Sequence, residues 1–309
     1  MAPRYANLVT TGKVESPKLL IFYGEGGVGK TTLAAQFPGT VFLGPEKTDS
    51  VDGVARFPRP NNWTDFMDQL RDLQDPFYKY KTLAIDSLDH LELMLFDHMK
   101  ARDKVTAIED TCGSYGKWVN GAVSMWLEMA MLLDQLMVKK KMDVILLAHY
   151  MTKAFADPMT SLPYDRNMLK LEKSAGKFWV EKCDALLFLS FKTHVKSDGA
   201  KAKKGKGISD GARVVYTEKR AAHDAKNRFN MPYELPLDYS SISEALKGAP
   251  EDQARQVCRE IEELMLDVAE GEMLEKMKAH YENIKGDLES LKVMKNRIKV
   301  ILESQSNKE

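Results

Sequence analysis

The 309-residue chain is poor in cysteine, carries no net charge and has no long apolar run. Its three cysteines lie far apart and form no C-x-x-C pair, which argues against a zinc site or a disulfide framework and favours a reducing compartment. Lys+Arg and Asp+Glu each number 45, so any binding of nucleic acid must come from local patches. No stretch approaches the roughly 18 apolar residues of a membrane span, and residues 1–17 lack an apolar signal-peptide core. We therefore expect a cytoplasmic protein without a membrane partner.

The sequence does contain a complete phosphate-loop motif. Residues 24–31 read GEGGVGKT, which fits G-x-x-x-x-G-K-[ST], and they stand between an apolar strand and a helical run. The free N–H groups at the start of that helix are expected to face phosphates. Lys30 is expected to reach the β- and γ-phosphates, and Thr31 to hold Mg²⁺. The motif therefore predicts binding of ATP with Mg²⁺.

Apolar runs of strand length alternate with helical patterns along most of the chain. Strands are predicted at 19–23, 40–43, 82–85, 143–149, 185–191 and 213–217, and helices after the phosphate loop and at 63–73, 88–100 and 122–137. This alternation predicts an α/β fold with a mostly parallel central sheet flanked by helices. From about Ser241 the pattern is helical only. We therefore divide the chain into an N-terminal arm (1–15), an ATPase core (16–240) and a helical C-terminal appendage (241–309).

Polar residues end or follow three of the predicted strands, at the sheet edge where ligands bind in open α/β folds. Asp86 is predicted to hold Mg²⁺ through water, and the alternative is a cap for the helix from Leu88. Glu46 is predicted to be the general base for water, and His149 to sense the γ-phosphate. A loop carboxylate and a structural histidine are the alternatives for these two. The residues expected to bind the nucleotide are Gly24, Glu25, Gly26, Gly27, Val28, Gly29, Lys30, Thr31, Thr32 and Asp86.

A basic segment at 217–229 lies near the end of the predicted core. Lys226 and Arg228 are predicted to enter the nucleotide site of a neighbouring subunit and to act there as trans cations. Lys219 and Arg220 could supply the same charges, and an exposed basic turn is the plain alternative. The trans interpretation requires self-assembly.

Taken in order, these motifs resemble the RecA-like P-loop ATPase core over about residues 16–238. Within that superfamily the chain is most similar to the short phage-encoded RecA-like ATPases that act as single-strand annealing recombinases. The similarity rests on Leu147-Ala148-His149, Asp157-Pro158, Asp224 to Arg228 and Leu235-Pro236. It implies a ring or filament whose interfaces cover the nucleotide, single-stranded DNA as ligand, and ATP hydrolysis stimulated by DNA. For a phage-encoded chain it implies the host cytoplasm.

Two basic segments are the expected contacts with DNA. The segment from Tyr150 to Lys173 corresponds in the resemblance to the second DNA-binding loop, and its cations interleave with aromatic rings, which suits a single strand. The other is a Lys/Gly-rich stretch that we expect to form a hairpin tip. A lid over ATP and a solvated loop are the respective alternatives. The predicted DNA contacts are Lys153, Arg166, Lys170, Lys201, Lys203 and Lys204.

Three other ATPase classes stay open beside an annealing or strand-pairing recombinase. Partition ATPases of the ParA type share the string GGVGKTT but place a lysine before it, where this chain has Glu25. A ring helicase or loader would use the same core, and a small-molecule kinase would need an arginine-rich lid. The C-terminal helices could pack on the core, mediate assembly, or recruit a single-strand binding protein or an exonuclease.

Overall fold

The computed structural model describes residues 16–113, 115–156, 162–196, 206–247, 250–266, 268 and 272–306. The predicted N-terminal arm, the pair Asp157-Pro158 and the predicted DNA contacts Lys201, Lys203 and Lys204 lie outside these residues. The described chain divides into two compact units, one formed by Ser16–Ser243 and one by the residues from Glu244 onward.

The strands of the described residues are β1 (Leu19–Gly24), β2 (Thr40–Leu43), β3 (Ala55–Arg56), β4 (Thr82–Asp86), β5 (Asp143–Ala148), β6 (Tyr150–Phe155), β7 (Tyr164–Leu169), β8 (Ala185–Lys196), β9 (Lys206–Tyr216), β10 (Lys226–Asn227) and β11 (Glu234–Pro236). The helices are α1 (Lys30–Ala35), α2 (Trp63–Asp72), α3 (Leu88–Asp103), α4 (Lys117–Gln135), α5 (Lys173–Lys182), α6 (Tyr239–Ala245), α7 (Pro250–Leu266), α8 (Glu272–Ile284) and α9 (Leu288–Ser306).

The first unit is built on a nine-stranded sheet with the strand order β11-β9-β8-β1-β5-β4-β2-β3, and β10 pairs with β8. The strands from β8 to β3 in that order are parallel to their neighbours, whereas β9, β10 and β11 are antiparallel additions. β1 is buried along its whole length, as expected for a parallel strand covered on both faces. The prediction of a mostly parallel sheet flanked by helices is confirmed.

The strand order brings the phosphate loop and the predicted acids to one edge of the sheet. β1 lies beside β5, β5 beside β4, and β4 beside β2, so the carboxyl ends of all four strands meet there. At the end of β2, Gly44 has a φ of 142°, and a Cβ on it would lie 2.3 Å from the carbonyl oxygen of Asp86. Only glycine allows this close approach. It lets the backbone N–H of Glu46 donate to that oxygen at 3.1 Å, which fixes Glu46 beside the end of β4.

Helix α4 buries one face in the core and begins earlier than the sequence predicted. It is followed by a π-helical turn at Leu136–Lys140, and the two together are long and apolar enough to cross a membrane by length and composition alone. The buried face of α4 packs in the core, where Trp126 meets Trp179 of α5 edge to face at 5.5 Å between ring centroids. Core helices of soluble proteins have the same composition, so this helix is weak support for a membrane span.

Two hairpins depart from the predicted loops. The segment from Tyr150 to Lys173, predicted as a loop, contains the two-stranded antiparallel sheet β6–β7 and the first residue of α5. The Lys/Gly-rich segment joins the long antiparallel strands β8 and β9, and its tip lies outside the described residues. The middle of β6 is exposed from Thr152 to Ala154, whereas β7 buries Arg166 and Leu169.

The second unit is helical. Residues of α7, α8 and α9 form a separate hydrophobic core around Ile261, Leu291 and Ile298, and Tyr281 of α8 packs in the same core. The apolar positions step by three and four along each helix, which buries one stripe.

Candidate nucleotide site

The phosphate loop joins β1 to α1. Its own residue Val28 is fully buried and anchors the loop to the core. A Cβ on Gly26 or on Gly27 would meet nothing within 4 Å, so the loop faces open space there. Gly29 precedes α1 with a φ of 110°, a conformation that favours glycine. The loop therefore has the exposed glycine backbone that a phosphate cradle needs.

Lys30 is buried and folds back onto its own loop. Its Nζ donates to the carbonyl oxygens of Gly24 at 3.0 Å and Glu25 at 2.9 Å. Burial lowers the pKa of Lys30, although Asp86 and Glu46 oppose this effect. Phosphate oxygens could replace the two carbonyls as partners of the ammonium group. The next residues, Thr31 and Thr32, continue into α1, and Thr32 is exposed.

Thr31 and Asp86 face each other across the start of α1 and the end of β4. The Thr31 hydroxyl donates to Oδ2 of Asp86 at 2.8 Å. Burial and the nearby Glu46 carboxylate raise the pKa of Asp86 to about 6, and the hydrogen bond from Thr31 opposes them. A nearby cation would stabilise the charged form of this buried carboxylate. Hydroxyl and carboxylate oxygens are also the kind of ligand that Mg²⁺ prefers. The residues therefore fit a magnesium ion held between α1 and β4.

Glu46 lies beside this pair. Its Oε1 accepts hydrogen bonds from the buried Ser87 hydroxyl and lies 2.8 Å from Nδ1 of His90. Ser87 occupies the cap position of α3, but its hydroxyl contacts Glu46 and makes no cap hydrogen bond. Asp86 is the last residue of β4, so the alternative role of Asp86 as a helix cap is not what the structure shows.

His149 contacts an acid that sequence reasoning missed. Both its Nδ1 and its backbone N–H approach the carboxylate of Asp89 in the first turn of α3, at 3.0 Å each. Burial alone would raise the pKa of Asp89, but the hydrogen bonds from His149 outweigh it and hold the pKa well below its ordinary value. The sequence held only a weak signal, because Asp89 and His90 come within four residues of the end of β4 and so stay near the same edge of the sheet.

Arg213 is a second residue that sequence reasoning missed. A Cβ on Gly29 would lie 3.0 Å from a guanidinium nitrogen of Arg213 and 3.6 Å from Leu237, so both side chains lie against the phosphate loop. Arg213 is exposed on β9. Nothing in the sequence near the motif points to Arg213, because the residue reaches the phosphate loop only through the antiparallel pairing of β9 with β8.

The predicted trans cations lie at the opposite edge of the sheet. Lys226 pairs in register with Leu186 near the start of β8, and its Nζ donates to the carbonyls of Val180 and Glu181 at 2.8 and 2.7 Å. Arg228 forms an ion pair with Asp184 at 3.1 Å, with 55% of its side chain exposed. Neither reaches the phosphate loop of its own chain.

The alternative cations lie elsewhere. Lys219 is 3.5 Å from Asp224, and the guanidinium of Arg220 stacks 4.4 Å above the ring of Tyr233.

The predicted DNA contacts in the β6–β7 hairpin differ in exposure. Lys153 is exposed on β6, and 55% of the Lys170 side chain is exposed. Arg166 is 5% exposed, stacks 3.9 Å above the ring of Phe155, and donates to the carbonyl of Ala221 at 3.1 Å. The prediction of Arg166 as a DNA contact is wrong for this structure, because the guanidinium is buried and bound to partners inside the protein.

The sequence model of the AAA domain family AAA_24 matches residues 16–229. The chain belongs to this family, and the matched residues form its P-loop ATPase domain. A comparison with curated proteins found no match.

Proposed function

We propose that this member of the AAA domain family is a magnesium-dependent ATPase that binds single-stranded DNA and promotes annealing or strand pairing. The observation that carries the ATPase part is the contact between Thr31 and Asp86 at 2.8 Å, directly beside a glycine cradle and a buried lysine. These are the parts that phosphoryl transfer to water requires.

In the proposed reaction, bound Mg-ATP supplies the γ-phosphoryl group and the metal charge that stabilises its transfer. Lys30 leaves the carbonyls of Gly24 and Glu25 for the phosphates. Thr31 and Asp86 would hold the metal, Asp86 through water. Glu46 takes a proton from the attacking water, and Lys226 and Arg228 of a neighbouring subunit complete the charge around the phosphates.

The β6–β7 hairpin is the proposed DNA element because both of its ends are attached to His149. β6 begins at the next residue, and the backbone N–H of Lys170, just after β7, donates to the His149 carbonyl at 3.0 Å. Outward from this base the hairpin exposes Lys153 and carries the rings of Phe155 and Tyr164, whose centroids are 5.8 Å apart. Arg166 covers one face of the Phe155 ring, so a base would stack on the other face. Cations for phosphates and rings for bases are what a single strand needs.

The hairpin also offers a route from the nucleotide to the subunit interface. Asn167 of β7 accepts a hydrogen bond from the backbone N–H of Asp224 at 3.0 Å and donates its own to Ala222 at 2.8 Å. Only Ala225 separates residues 222–224 from Lys226. A shift of His149 that follows the γ-phosphate would therefore move the DNA element and the proposed trans cations together.

The test is steady-state ATP hydrolysis with and without a single-stranded oligonucleotide, in Mg²⁺ at fixed salt. The proposal expects DNA to stimulate hydrolysis, and expects Lys30→Ala to abolish hydrolysis while Lys177→Ala, an exposed lysine on α5, does not. Hydrolysis that is indifferent to DNA would favour a partition-type ATPase or another protein-directed ATPase.

A further inference from the structure

Four side chains beside the nucleotide site form a closed ring of metal-ligand atoms. They are Glu46 after β2, Asp89 and His90 in the first turn of α3, and His149 after β5. One ligand atom from each lies within 4.8 Å of all the others. Carboxylate oxygen and imidazole nitrogen alternate around the ring.

The distances between neighbouring ligand atoms, which form the four sides of the ring, fall into a short pair and a long pair. Nδ1 of His90 lies 2.8 Å from Oε1 of Glu46, and Nδ1 of His149 lies 3.0 Å from Oδ2 of Asp89, so these two sides are hydrogen bonds. The other two sides, from His90 to Asp89 and from His149 to Glu46, measure 3.7 and 3.8 Å. Those distances are too long for hydrogen bonds. Hydrogen bonding alone therefore does not explain why the four atoms converge.

A metal ion does explain the convergence. Bonds of about 2.1 Å from one ion to imidazole nitrogens and carboxylate oxygens place tetrahedral ligands about 3.4 Å apart, which lies between the short and the long sides of the ring. We propose that Glu46, Asp89, His90 and His149 bind one divalent transition-metal ion of the Zn²⁺ class, separate from the magnesium held by Thr31 and Asp86. Two imidazoles select this class over Mg²⁺, which takes oxygen ligands.

The surroundings of the ring orient its ligands as in a metal site. The backbone N–H of His149 donates to Oδ1 of Asp89 at 3.0 Å, which leaves Oδ2 for the centre. The buried Ser87 hydroxyl donates to Oε1 of Glu46 and lies 2.9 Å from Nδ1 of His90, so it holds both side chains at the ring. Such supporting hydrogen bonds hold metal ligands in place. Lys170 lies 3.8 Å from Oδ2 of Asp89, and since 55% of its side chain is exposed it can turn into solvent.

The site has one open side and balanced charge. Asp89 is 4% exposed, whereas 45% of the His90 side chain is exposed, so an ion can enter past His90. Two carboxylates neutralise a divalent ion. The sequence argument against a zinc site considered cysteine spacing only, and this donor set contains no cysteine. An ion here would also hold Glu46 and His149, so in the metal-bound state Glu46 could not take a proton from water and ATP hydrolysis would be inhibited. Any effect on ATP hydrolysis rests on the proposed function, whereas binding of the ion does not.

The experiment measures metal binding by the full-length, tag-free protein without nucleotide, in excess Mg²⁺ to fill the other site. Equilibrium dialysis against Zn²⁺ gives stoichiometry and affinity, and the absorption of bound Co²⁺ reports the ligand geometry. We expect one ion per chain, with Co²⁺ d–d bands of a four- or five-coordinate site. His90→Ala and Glu46→Gln are each expected to weaken binding at least about 100-fold, since loss of supporting groups alone costs 10- to 100-fold.

The matched control is His98→Ala, which removes a half-buried histidine on the same helix and outside the ring. It is expected to bind like the wild type. Far-UV circular dichroism checks that each variant is folded, and Zn²⁺ should raise the melting temperature of the wild type but not of His90→Ala. Binding that survives both His90→Ala and Glu46→Gln, the absence of a stoichiometric ion, or a Co²⁺ thiolate charge-transfer band would each overturn the proposal.

Discussion

The hydroxyl of Thr31 lies 2.8 Å from Oδ2 of Asp86, although the two residues belong to different elements of the sheet edge. Thr31 is in the first turn of α1, and Asp86 ends β4 two strands away from the phosphate loop. The contact exists because β1, β5 and β4 are parallel neighbours whose carboxyl ends meet, and α1 packs against all three strands. Lys30 and Glu46 both lie close enough to Asp86 for their charges to act on its pKa, Glu46 raising it and Lys30 lowering it.

Asp86→Asn is expected to lower the rate of ATP hydrolysis at least about 100-fold, because the amide keeps the shape but removes the charge that holds the metal. ATP hydrolysis in saturating Mg²⁺ measures this. The control is Asp97→Asn, an acid on α3 whose side chain is 71% exposed and pairs only with Lys100 among the described residues. Equal losses in both variants would show that Asp86 has no special role.

Gly44→Ala is expected to lower the free energy of unfolding by more than about 1 kcal/mol. The added Cβ would meet the carbonyl of Asp86 at 2.3 Å, and the φ of 142° is unfavourable for alanine. Chemical denaturation measures the change. Gly176→Ala in α5 has an ordinary φ and no contact closer than 4.0 Å, so it should be neutral or stabilising. A neutral Gly44→Ala would contradict the close approach of β2 and β4.

Glu92→Gln is expected to remove part of the loss of folding stability that the wild type shows as pH rises. Burial is the main reason that the pKa of Glu92 is raised from 4.5 to about 7. The hydrogen bond from the backbone N–H of Glu172 and the charge of Lys153 lower this pKa, whereas the nearby carboxylates of Glu172 and Asp89 raise it. The folded state therefore holds a proton that the unfolded state has lost, so wild-type stability falls as pH rises from about 5 to about 7, by up to about 1.4 kcal/mol per pH unit.

The glutamine variant should show a shallower fall over the same range. Urea denaturation at several pH values compares the two proteins. Parallel stability curves would mean that Glu92 is charged in the folded state across the whole window.

Mixing two inactive variants tests the trans cations. Arg228→Ala should hydrolyse ATP slowly because its neighbour lacks the cation, and Lys30→Ala because its own loop lacks the lysine. A mixed assembly contains interfaces with an intact Lys30 from one chain and an intact Arg228 from the next, so mixing should restore part of the activity. If the mixture stays as inactive as its components, Arg228 acts only through its own ion pair with Asp184.

His149→Ala is expected to leave ATP binding nearly intact and to abolish the dependence of DNA affinity on nucleotide. The backbone N–H of His149 still donates to Asp89 in this variant, so the sheet edge is retained, while the side chain that would follow the γ-phosphate is lost. DNA binding with ATP and with ADP measures the coupling, and His98→Ala is the control. Coupling that persists in His149→Ala would exclude the route through this residue.

The elements nearest to the motif were predictable from sequence, because each one has a local signal. The phosphate loop follows from glycine spacing, and Asp86 follows from the end of a buried apolar strand. The contact of His149 with Asp89 was not predictable in the same way, since it requires the register in which β5 lies beside β4.

The exposure of individual charged side chains could not be predicted from the sequence either. Arg166 and Lys153 look alike as cations among aromatic residues, yet they are paired in register across β6 and β7, and only Arg166 finds partners inside the protein. Arg213 reaches the phosphate loop through β9, a strand whose place in the sheet depends on long-range pairing. Tertiary contacts of this kind decide which charged side chains remain free for a ligand.

The most direct measurement of the central claim is the affinity of the wild-type protein for a fluorescent single-stranded oligonucleotide with ATP, with ADP and without nucleotide, at one fixed salt concentration. If the β6–β7 hairpin follows the nucleotide through His149, the affinity will differ between ATP and ADP, and DNA will change the affinity for ATP by the same factor. Equal DNA affinity in all three states, or no DNA binding, would contradict the account.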